Sequence, residues 1–203
     1  TQNSPLKKSG YIFLHKESKD RRGIDVARLY KPTSFKLLFW QAIPVTFHDK
    51  RHKTRDILYV KGILLKTDTI HLFINHWPSR VGGELKTEPL RLQTAKTLKH
   101  KTDSIQNINQ QALIIIMGDL NDDPVNNSIV NGLKAFGEND STPTLLYNLA
   151  YPLYKRSEGS LVHKDKIGWR WCMFDQVIVS NALYNNKAKL KLHTNEISIF
   201  KYY

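Results

Sequence analysis

The chain has 203 residues, of which 40% are hydrophobic, so it is long enough to form one domain with a well-packed core. It carries 31 Lys and Arg against 18 Asp and Glu. The resulting formal charge of +13 favours polyanionic partners such as nucleic acid, phosphorylated ligands or acidic membrane surfaces. The single cysteine, Cys172, excludes an intrachain disulfide and a cysteine-built zinc site, and no apolar run is long enough to span a bilayer.

These features predict a soluble monomer with a single domain over residues 1–203. The N-terminus lacks the apolar core of a signal peptide, but the chain begins without Met, so its localisation stays open. The basic runs at residues 50–55 and 187–191 are each interpreted as solvated surface. Cys172, between Trp171 and Met173, is interpreted as a core residue.

Extended segments dominate the first part of the chain. Apolar alternation and flanking turn residues predict strands over residues 25–30 and 35–45. A third and a fourth strand, residues 56–65 and 69–75, flank a loop of three residues, which is short enough for a β-hairpin.

A helical pattern starts near residue 87, because Pro89 suits a first turn and Leu90, Thr94 and Leu98 repeat at helical spacing. This helix is predicted to reach about residue 107. Three further elements are predicted after it: a strand over residues 112–117, a short helix over residues 126–135 and a strand over residues 174–180. Residues 137–168 show little periodicity and are predicted to be a long loop, so the pattern as a whole favours an α/β sandwich.

The most informative stretch is Gly-Asp-Leu-Asn at residues 118–121, which follows the apolar strand at residues 112–117. Side chains two positions apart on an extended segment point the same way, so Asp119 and Asn121 can act together on one small group such as a phosphate. The competing interpretation is an Asx turn, because Asp, Asn and Gly commonly end strands by bonding their own backbone. This stretch alone does not choose between them.

Four segments in order resemble the motifs of the endonuclease/exonuclease/phosphatase superfamily, which includes deoxyribonuclease I, apurinic endonucleases, inositol-polyphosphate 5-phosphatases and neutral sphingomyelinases. They are residues 22–30 with Asp25, residues 75–80 with His76, residues 118–124 with Asp119 and Asn121, and residues 175–180 with Asp175. The resemblance implies a four-layer α/β/β/α sandwich of the deoxyribonuclease I-like type, incomplete in this chain.

The resemblance also implies roles for individual residues. His76 would hydrogen-bond the scissile phosphate, Asp119 would orient or deprotonate the attacking water, and Asn121 would hold a phosphate oxygen. Asp175 would pair with a second histidine and orient its ring. These residue types suit phosphodiester hydrolysis, in which a carboxylate activates water and donors stabilise the charge of the transition state. Without the other motifs, a core histidine is the favoured interpretation of His76, and a turn residue is a competing interpretation of Asp175.

Two further residues are candidates for substrate binding. Tyr30 matches a position near the phosphate, although a packing role is at least as compatible with its surroundings. Arg80 lies just beyond His76 and before two glycines, where its planar fork could meet a phosphate.

Two motifs of the superfamily are absent from the chain. No strand ahead of residue 21 supplies an Asn or the Glu that is the principal magnesium ligand, and no Ser-Asp-His follows Asp175. We therefore expect a central portion of a longer domain that is weakly active or inactive by itself, with Asp119 as its one metal ligand.

The sequence predicts a phosphoric ester hydrolase dependent on Mg²⁺ or Mn²⁺, with a phosphodiester or phosphomonoester substrate and nucleic acid among the candidates. The alternative is a non-catalytic domain that binds polyanions or nucleic acid on the same scaffold. The missing motifs and the basic composition are the features that support this alternative.

Overall fold

The structure, a computed structural model, describes residues 8–20, 22–137, 146–164, 168–193 and 197–200. The strands among these residues are β1 (Ile12–His15), β2 (Ala27–Tyr30), β3 (Phe35–Ile43), β4 (Ile57–Leu64), β5 (Asp68–His76), β6 (Leu113–Asp119), β7 (Ala135–Phe136), β8 (Leu146–Asn148), β9 (Leu161–Lys164), β10 (Trp169–Cys172) and β11 (Asp175–Ser180). The α-helices are α1 (Glu84–Ile108), α2 (Tyr151–Lys155) and α3 (Asn181–Tyr184), and a π-helix covers Ser128–Leu133.

Seven strands form one mixed sheet in the order β3-β4-β5-β6-β11-β8-β7, and two further pairs, β1–β2 and β9–β10, are antiparallel hairpins. Strands β5 and β6 are parallel and joined by α1, whereas β11 runs antiparallel to β6. The carboxyl ends of β5 and β6 and the start of β11 therefore meet at one edge of the sheet, which is where polar side chains of a site collect.

Both faces of the large sheet are buried. One face packs against α1 and the π-helix through side chains such as Leu98, Ile114 and Leu133. The other face contacts β1, β2 and the segment that follows β11, through residues such as Leu14, Ala182 and Leu183. Burial on both faces explains why β4 and β6 read as nearly continuous apolar runs.

The structure confirms the predicted mixed α/β class, the long helix and the strands at β4, β5, β6 and β11. It also places Cys172 in the core and shows the predicted short helix as the π-helix. Among the described residues, no helix is long and apolar enough to cross a membrane.

The start of α1 differs from its prediction. The helix begins at Glu84, directly after Gly83, so Pro89 lies in the second turn and not in the first. Contacts that local sequence does not reveal hold this early start. Arg80 forms an ion pair with Glu84, and Arg91 donates a hydrogen bond to the Glu84 carbonyl.

The prediction of one long loop over residues 137–168 is wrong for its described part. Residues 146–164 contain β8, α2 and β9, while residues 138–145 lie outside the described residues. These elements have three to five residues each, which is too short for periodicity to be seen in the sequence.

Candidate active site

His76 and Asp119 end two neighbouring parallel strands and stand directly opposite each other in the β5–β6 register. The His76 Nε2 atom lies 3.7 Å from the Asp119 Oδ2 atom, and the two side chains are 28% and 34% exposed. This distance exceeds that of a hydrogen bond. Neither group satisfies the other, so both can act on a third group that enters from solvent.

Gly118 lets the two strands approach closely just before this pair. Its φ is +125°, and a Cβ atom built there would lie 2.0 Å from the carbonyl oxygen of Asn75 on β5. A side chain at residue 118 would therefore force β5 and β6 apart and separate His76 from Asp119.

The two interpretations of Asp119 and Asn121 turn out to be compatible. The backbone N–H of Asn121 donates to Asp119 Oδ1 at 2.8 Å, which is the predicted Asx turn, and Asn121 has a φ of +51°. This bond fixes the carboxylate through one oxygen. The other oxygen, Oδ2, is the one that faces His76. The turn thus orients the carboxylate for the site.

Trp77, in the protein interior, is hydrogen-bonded to both Asp119 and Asn121. It is 1% exposed, and its backbone N–H donates to the Asp119 carbonyl at 2.9 Å. Its own carbonyl accepts one N–H of the Asn121 amide at 3.0 Å, and its indole N–H donates to Asn75. The Asn121 amide has two N–H groups, so one remains for a ligand.

Arg55 also supports His76, although the sequence pattern places it in a solvated basic run. Its side chain is only 2% exposed and donates to the carbonyls of His76 and Trp77. It also donates to Asp20 Oδ2 at 2.6 Å. The interpretation of residues 50–55 as solvated surface is therefore wrong for Arg55. Its burial was not visible in the local sequence, because its partners lie on a distant strand and loop.

The charges around the site shift the pKa values of three groups. Burial and the positive charge of Arg55 lower the pKa of His76, against the opposing effect of Asp119. Burial raises the pKa of Asp119, and the neighbouring Asp175 raises it further. Burial also acts to raise the pKa of Asp20, but hydrogen bonds from Arg22 and Arg55 outweigh it and hold that pKa at about 2.

Asp175 stands opposite Asp119 in the β6–β11 register, so the structure brings all four predicted catalytic residues to one edge. Its backbone N–H donates to Ser160 Oγ at 3.0 Å. Within the residues that the structure describes, no histidine forms a hydrogen bond or ion pair with Asp175.

The structure does not bring Tyr30 to this edge. Its ring packs edge-on against Phe35, with the ring centroids 5.5 Å apart. Phe35 pairs with Leu64, and Leu64 pairs with Asp68 at the start of β5. His76 is eight positions after Asp68 along β5, which corresponds to about 26 Å along a strand. Tyr30 therefore has the packing role that the sequence left open.

Arg80 is near the site but points into the protein. Its side chain is 3% exposed and donates to the Asn121 carbonyl at 2.9 Å and to Asp122 Oδ1 at 3.0 Å. The guanidinium also lies over the ring of Phe174. These contacts hold the loop that carries Asn121, so the structure supports a positioning role and leaves substrate contact as a prediction.

A second buried arginine, on α1, also pairs with Asp122, and it was not among the residues predicted from the sequence. Arg91 is fully buried, and its Nε lies 2.8 Å from Asp122 Oδ2. A signal was available, because Arg91 falls at i, i+3, i+4 and i+7 spacing with the buried Thr94, Ala95 and Leu98. A charge at such a position needs a buried partner of opposite charge.

The described residues do not fit a complete metal site. Among them, no three His, Cys, Asp or Glu side chains group in a way that could hold an ion. Asp119 is therefore at most one ligand, and we assign no chemical step in this chain to a metal.

Comparisons with known proteins agree with this architecture. The profile of the Endonuclease/Exonuclease/phosphatase family matches residues 1–202. A search of curated proteins gave no match.

Several solved structures share the fold at low identity. The human Nocturnin catalytic domain with bound sulfate anion is 19% identical, with a TM-score of 0.63, over 89% of this chain and 64% of that one. ANGEL2, a 2',3'-cyclic phosphatase, is 14% identical with a TM-score of 0.61, over 87% and 64%. A truncated TDP2 from Caenorhabditis elegans is 15% identical with a TM-score of 0.59, over 87% and 64%.

This chain thus spans about 64% of the length of these solved structures. The prediction of a deoxyribonuclease I-like α/β fold, incomplete in this chain, is confirmed. Because the family profile covers nearly all of the sequence, the chain belongs to the Endonuclease/Exonuclease/phosphatase family.

Proposed function

We propose that the complete protein containing this chain hydrolyses a phosphoric ester, a phosphodiester or a phosphomonoester, by direct attack of an activated water. The observation that carries this proposal is the His76–Asp119 pair. The two groups are partly exposed and 3.7 Å apart, and neither is hydrogen-bonded to the other. One can therefore accept a proton while the other donates to the same substrate.

In this proposal Asp119 is the general base. Its Oδ1 atom is held by the Asn121 backbone, and its Oδ2 atom accepts the proton of the attacking water. His76 and the remaining N–H of the Asn121 amide donate to phosphate oxygens, where negative charge accumulates in the transition state. Asp175 is proposed to orient a histidine that the described residues do not provide.

Dependence on Mg²⁺ or Mn²⁺ is proposed for the complete protein, because hard cations prefer oxygen ligands and stabilise phosphoryl charge. Ligands in addition to Asp119 are needed for such a site. The dependence is thus a property to be tested with the complete protein.

The test is a panel of phosphoric esters with the complete protein, with Mg²⁺ or Mn²⁺ and with EDTA. Plasmid DNA, abasic-site DNA, bis-p-nitrophenyl phosphate, sphingomyelin and inositol phosphates represent the substrate classes. We expect at least one to be hydrolysed with metal and none in EDTA. Inertness of the whole panel with metal would refute the esterase proposal, and activity in EDTA would refute metal dependence.

A second candidate is a non-catalytic domain that binds polyanions. The formal charge of +13 and the lack of a grouped metal site among the described residues favour it. It predicts binding to DNA or heparin that needs no metal and weakens steeply as salt rises, without turnover of any ester in the panel.

A further inference from the structure

The β9–β10 hairpin presents two large aromatic side chains to solvent. Trp169 is 71% exposed and Trp171 is 57% exposed. They are two residues apart on one strand, so both side chains lie on the same face of the hairpin. Val162, which pairs with Trp171 across the hairpin, is exposed as well. Two exposed indoles and an exposed valine on one face make the hairpin a candidate interaction surface.

This hairpin is fixed relative to the reaction centre. Ser160, just before β9, accepts a hydrogen bond from the Asp175 backbone. Arg170, between the two tryptophans, donates to Asp123 Oδ2 at 3.0 Å, and the Met173 backbone donates to Asp123 Oδ1 at 2.8 Å. Asp123 belongs to the loop that follows Asp119 and carries Asn121. The hairpin backbone therefore stands at a defined place beside the site, and the indoles project from the face opposite the Arg170 side chain.

Positive charge accompanies the aromatic surface. The Lys164 ammonium lies 5.8 Å from the centre of the Trp169 ring. Trp171 lines a cleft of about 490 Å³ that holds two cations and one carboxylate, and its other lining residues are Arg170, Lys155, Glu158, Tyr154 and Ser157. A ligand suited to this surface has flat rings that can stack and negative charges between them.

The other side of the reaction centre is basic as well. Arg55, which supports His76, lies in the wall of a cleft of about 660 Å³. The cationic residues of this cleft include Arg22, Arg51, Lys53 and Lys86. Sheet order puts the basic cleft at the β4 and β5 side and the hairpin at the β11 side, with His76 and Asp119 between them.

We propose that Trp169 and Trp171 form a stacking site for unpaired nucleobases, which holds a single-stranded nucleic acid whose phosphodiester chain runs past His76 and Asp119 to the basic cleft. The inference deepens the proposed esterase function and rests on it for the identity of the reaction centre. Indole faces stack any base, so this site selects unpaired strands without selecting a sequence.

The test measures binding by the complete protein in EDTA, where turnover does not interfere. Fluorescence anisotropy compares a labelled 12-mer of deoxythymidine with a labelled 12-mer of abasic units, which has the same phosphates and no bases. We expect Trp169→Ala and Trp171→Ala each to weaken binding of the deoxythymidine strand by about tenfold, because each removes a face on which one base stacks. Binding of the abasic strand should stay the same.

Two variants serve as controls. Trp169→Phe keeps an aromatic face and should retain binding within about threefold. Phe39→Ala removes another exposed aromatic side chain, on the β3 edge of the sheet, and should leave binding of both strands unchanged.

Two results would overturn the stacking site. One is wild-type binding of the deoxythymidine strand by both alanine variants. The other is a loss that does not depend on the bases: an equal loss for both strands would assign the tryptophans to phosphate contact, and a loss confined to a parallel assay with anionic phospholipid vesicles would assign them to membrane contact. Hydrolysis of bis-p-nitrophenyl phosphate by the wild-type protein tests the reaction centre separately. If the wild-type protein hydrolyses this ester but both tryptophan variants bind the deoxythymidine strand as the wild type does, only this inference is refuted. If the wild-type protein does not hydrolyse the ester but the variants lose binding of the deoxythymidine strand alone, only the esterase proposal is refuted.

Discussion

Replacing Arg55 tests whether a buried cation supports the site or belongs to a solvated basic run. Arg55→Met keeps most of the aliphatic length but removes all donors to Asp20 and to the carbonyls of His76 and Trp77. Removing one partner of a buried ion pair costs about 3–5 kcal/mol when the other charge is left alone. Because Arg22 still bonds Asp20, the lower end of that range, about 3 kcal/mol, applies here. We therefore expect the free energy of unfolding to fall by about that amount, measured by urea denaturation.

The same variant should change the titration of His76. Arg55 lowers the pKa of the His76 ring, so its removal should raise that pKa, which NMR of the ring protons can follow. Arg55→Lys keeps the charge but loses the fork. It should destabilise the protein less than Arg55→Met and should move the His76 pKa less.

The dependence on pH supplies an independent check. The pKa of Asp20 is about 2 in the folded protein against an ordinary value of 3.8. Because the folded value is the lower one, the stabilisation is present above pH 3.8 and is lost as pH falls towards about 2. The difference in stability between wild type and Arg55→Met should narrow over that range.

Arg51→Met is the matched control, because Arg51 also bonds an aspartate, Asp49, but is exposed. We expect its urea midpoint to equal that of the wild type. If Arg55→Met behaved like Arg51→Met in both stability and His76 titration, the proposed support of His76 by Arg55 would be refuted.

Four further changes test other parts of the structure. Asp119→Asn in the complete protein should lower turnover about 10²- to 10⁴-fold in a steady-state assay and leave the thermal midpoint nearly unchanged. Turnover equal to that of the wild type would show that residues 118–121 form a turn without a catalytic role. Trp77→Ala should lower the free energy of unfolding by about 3–5 kcal/mol, because a buried indole is lost. Gly118→Ala should reduce soluble, folded protein, because its Cβ would lie 2.0 Å from the Asn75 carbonyl oxygen. Burial lowers the pKa of His71 from 6.5 to about 4, so wild-type stability should fall as pH drops through that range, and His71→Gln should weaken this fall in urea titrations.

The strand ends that form the site were predictable from local sequence. Six apolar residues before Gly118 predict a strand buried on both faces, and its carboxyl end places Asp119 and Asn121 at an edge. The hairpin of β4 and β5 was predictable for the same reason, because its loop is short and its strands are apolar. The motif order then indicated that His76 and Asp119 belong to one site.

The direction of long polar side chains was not predictable in this way. Tyr30 and Arg80 have residue types that suit phosphate contact, and both were candidates for substrate binding. Tyr30 packs at the far end of the sheet, and the Arg80 guanidinium bonds Asp122, 42 positions away. A side chain with several rotatable bonds reaches different partners from one backbone position, so its role depends on which segments the fold brings near.

By itself the sequence determined the fold class and the strand edge that carries His76, Asp119, Asn121 and Asp175. Apolar periodicity is a local property, and it specifies which segments become buried strands and helices. Tertiary structure alone decided that Arg55 is a buried cation and that two tryptophans remain exposed on the hairpin that precedes Asp175. Burial of a charge is stable only where a partner of opposite charge lies within a few ångströms, and here the partner of Arg55 is 35 positions away along the chain.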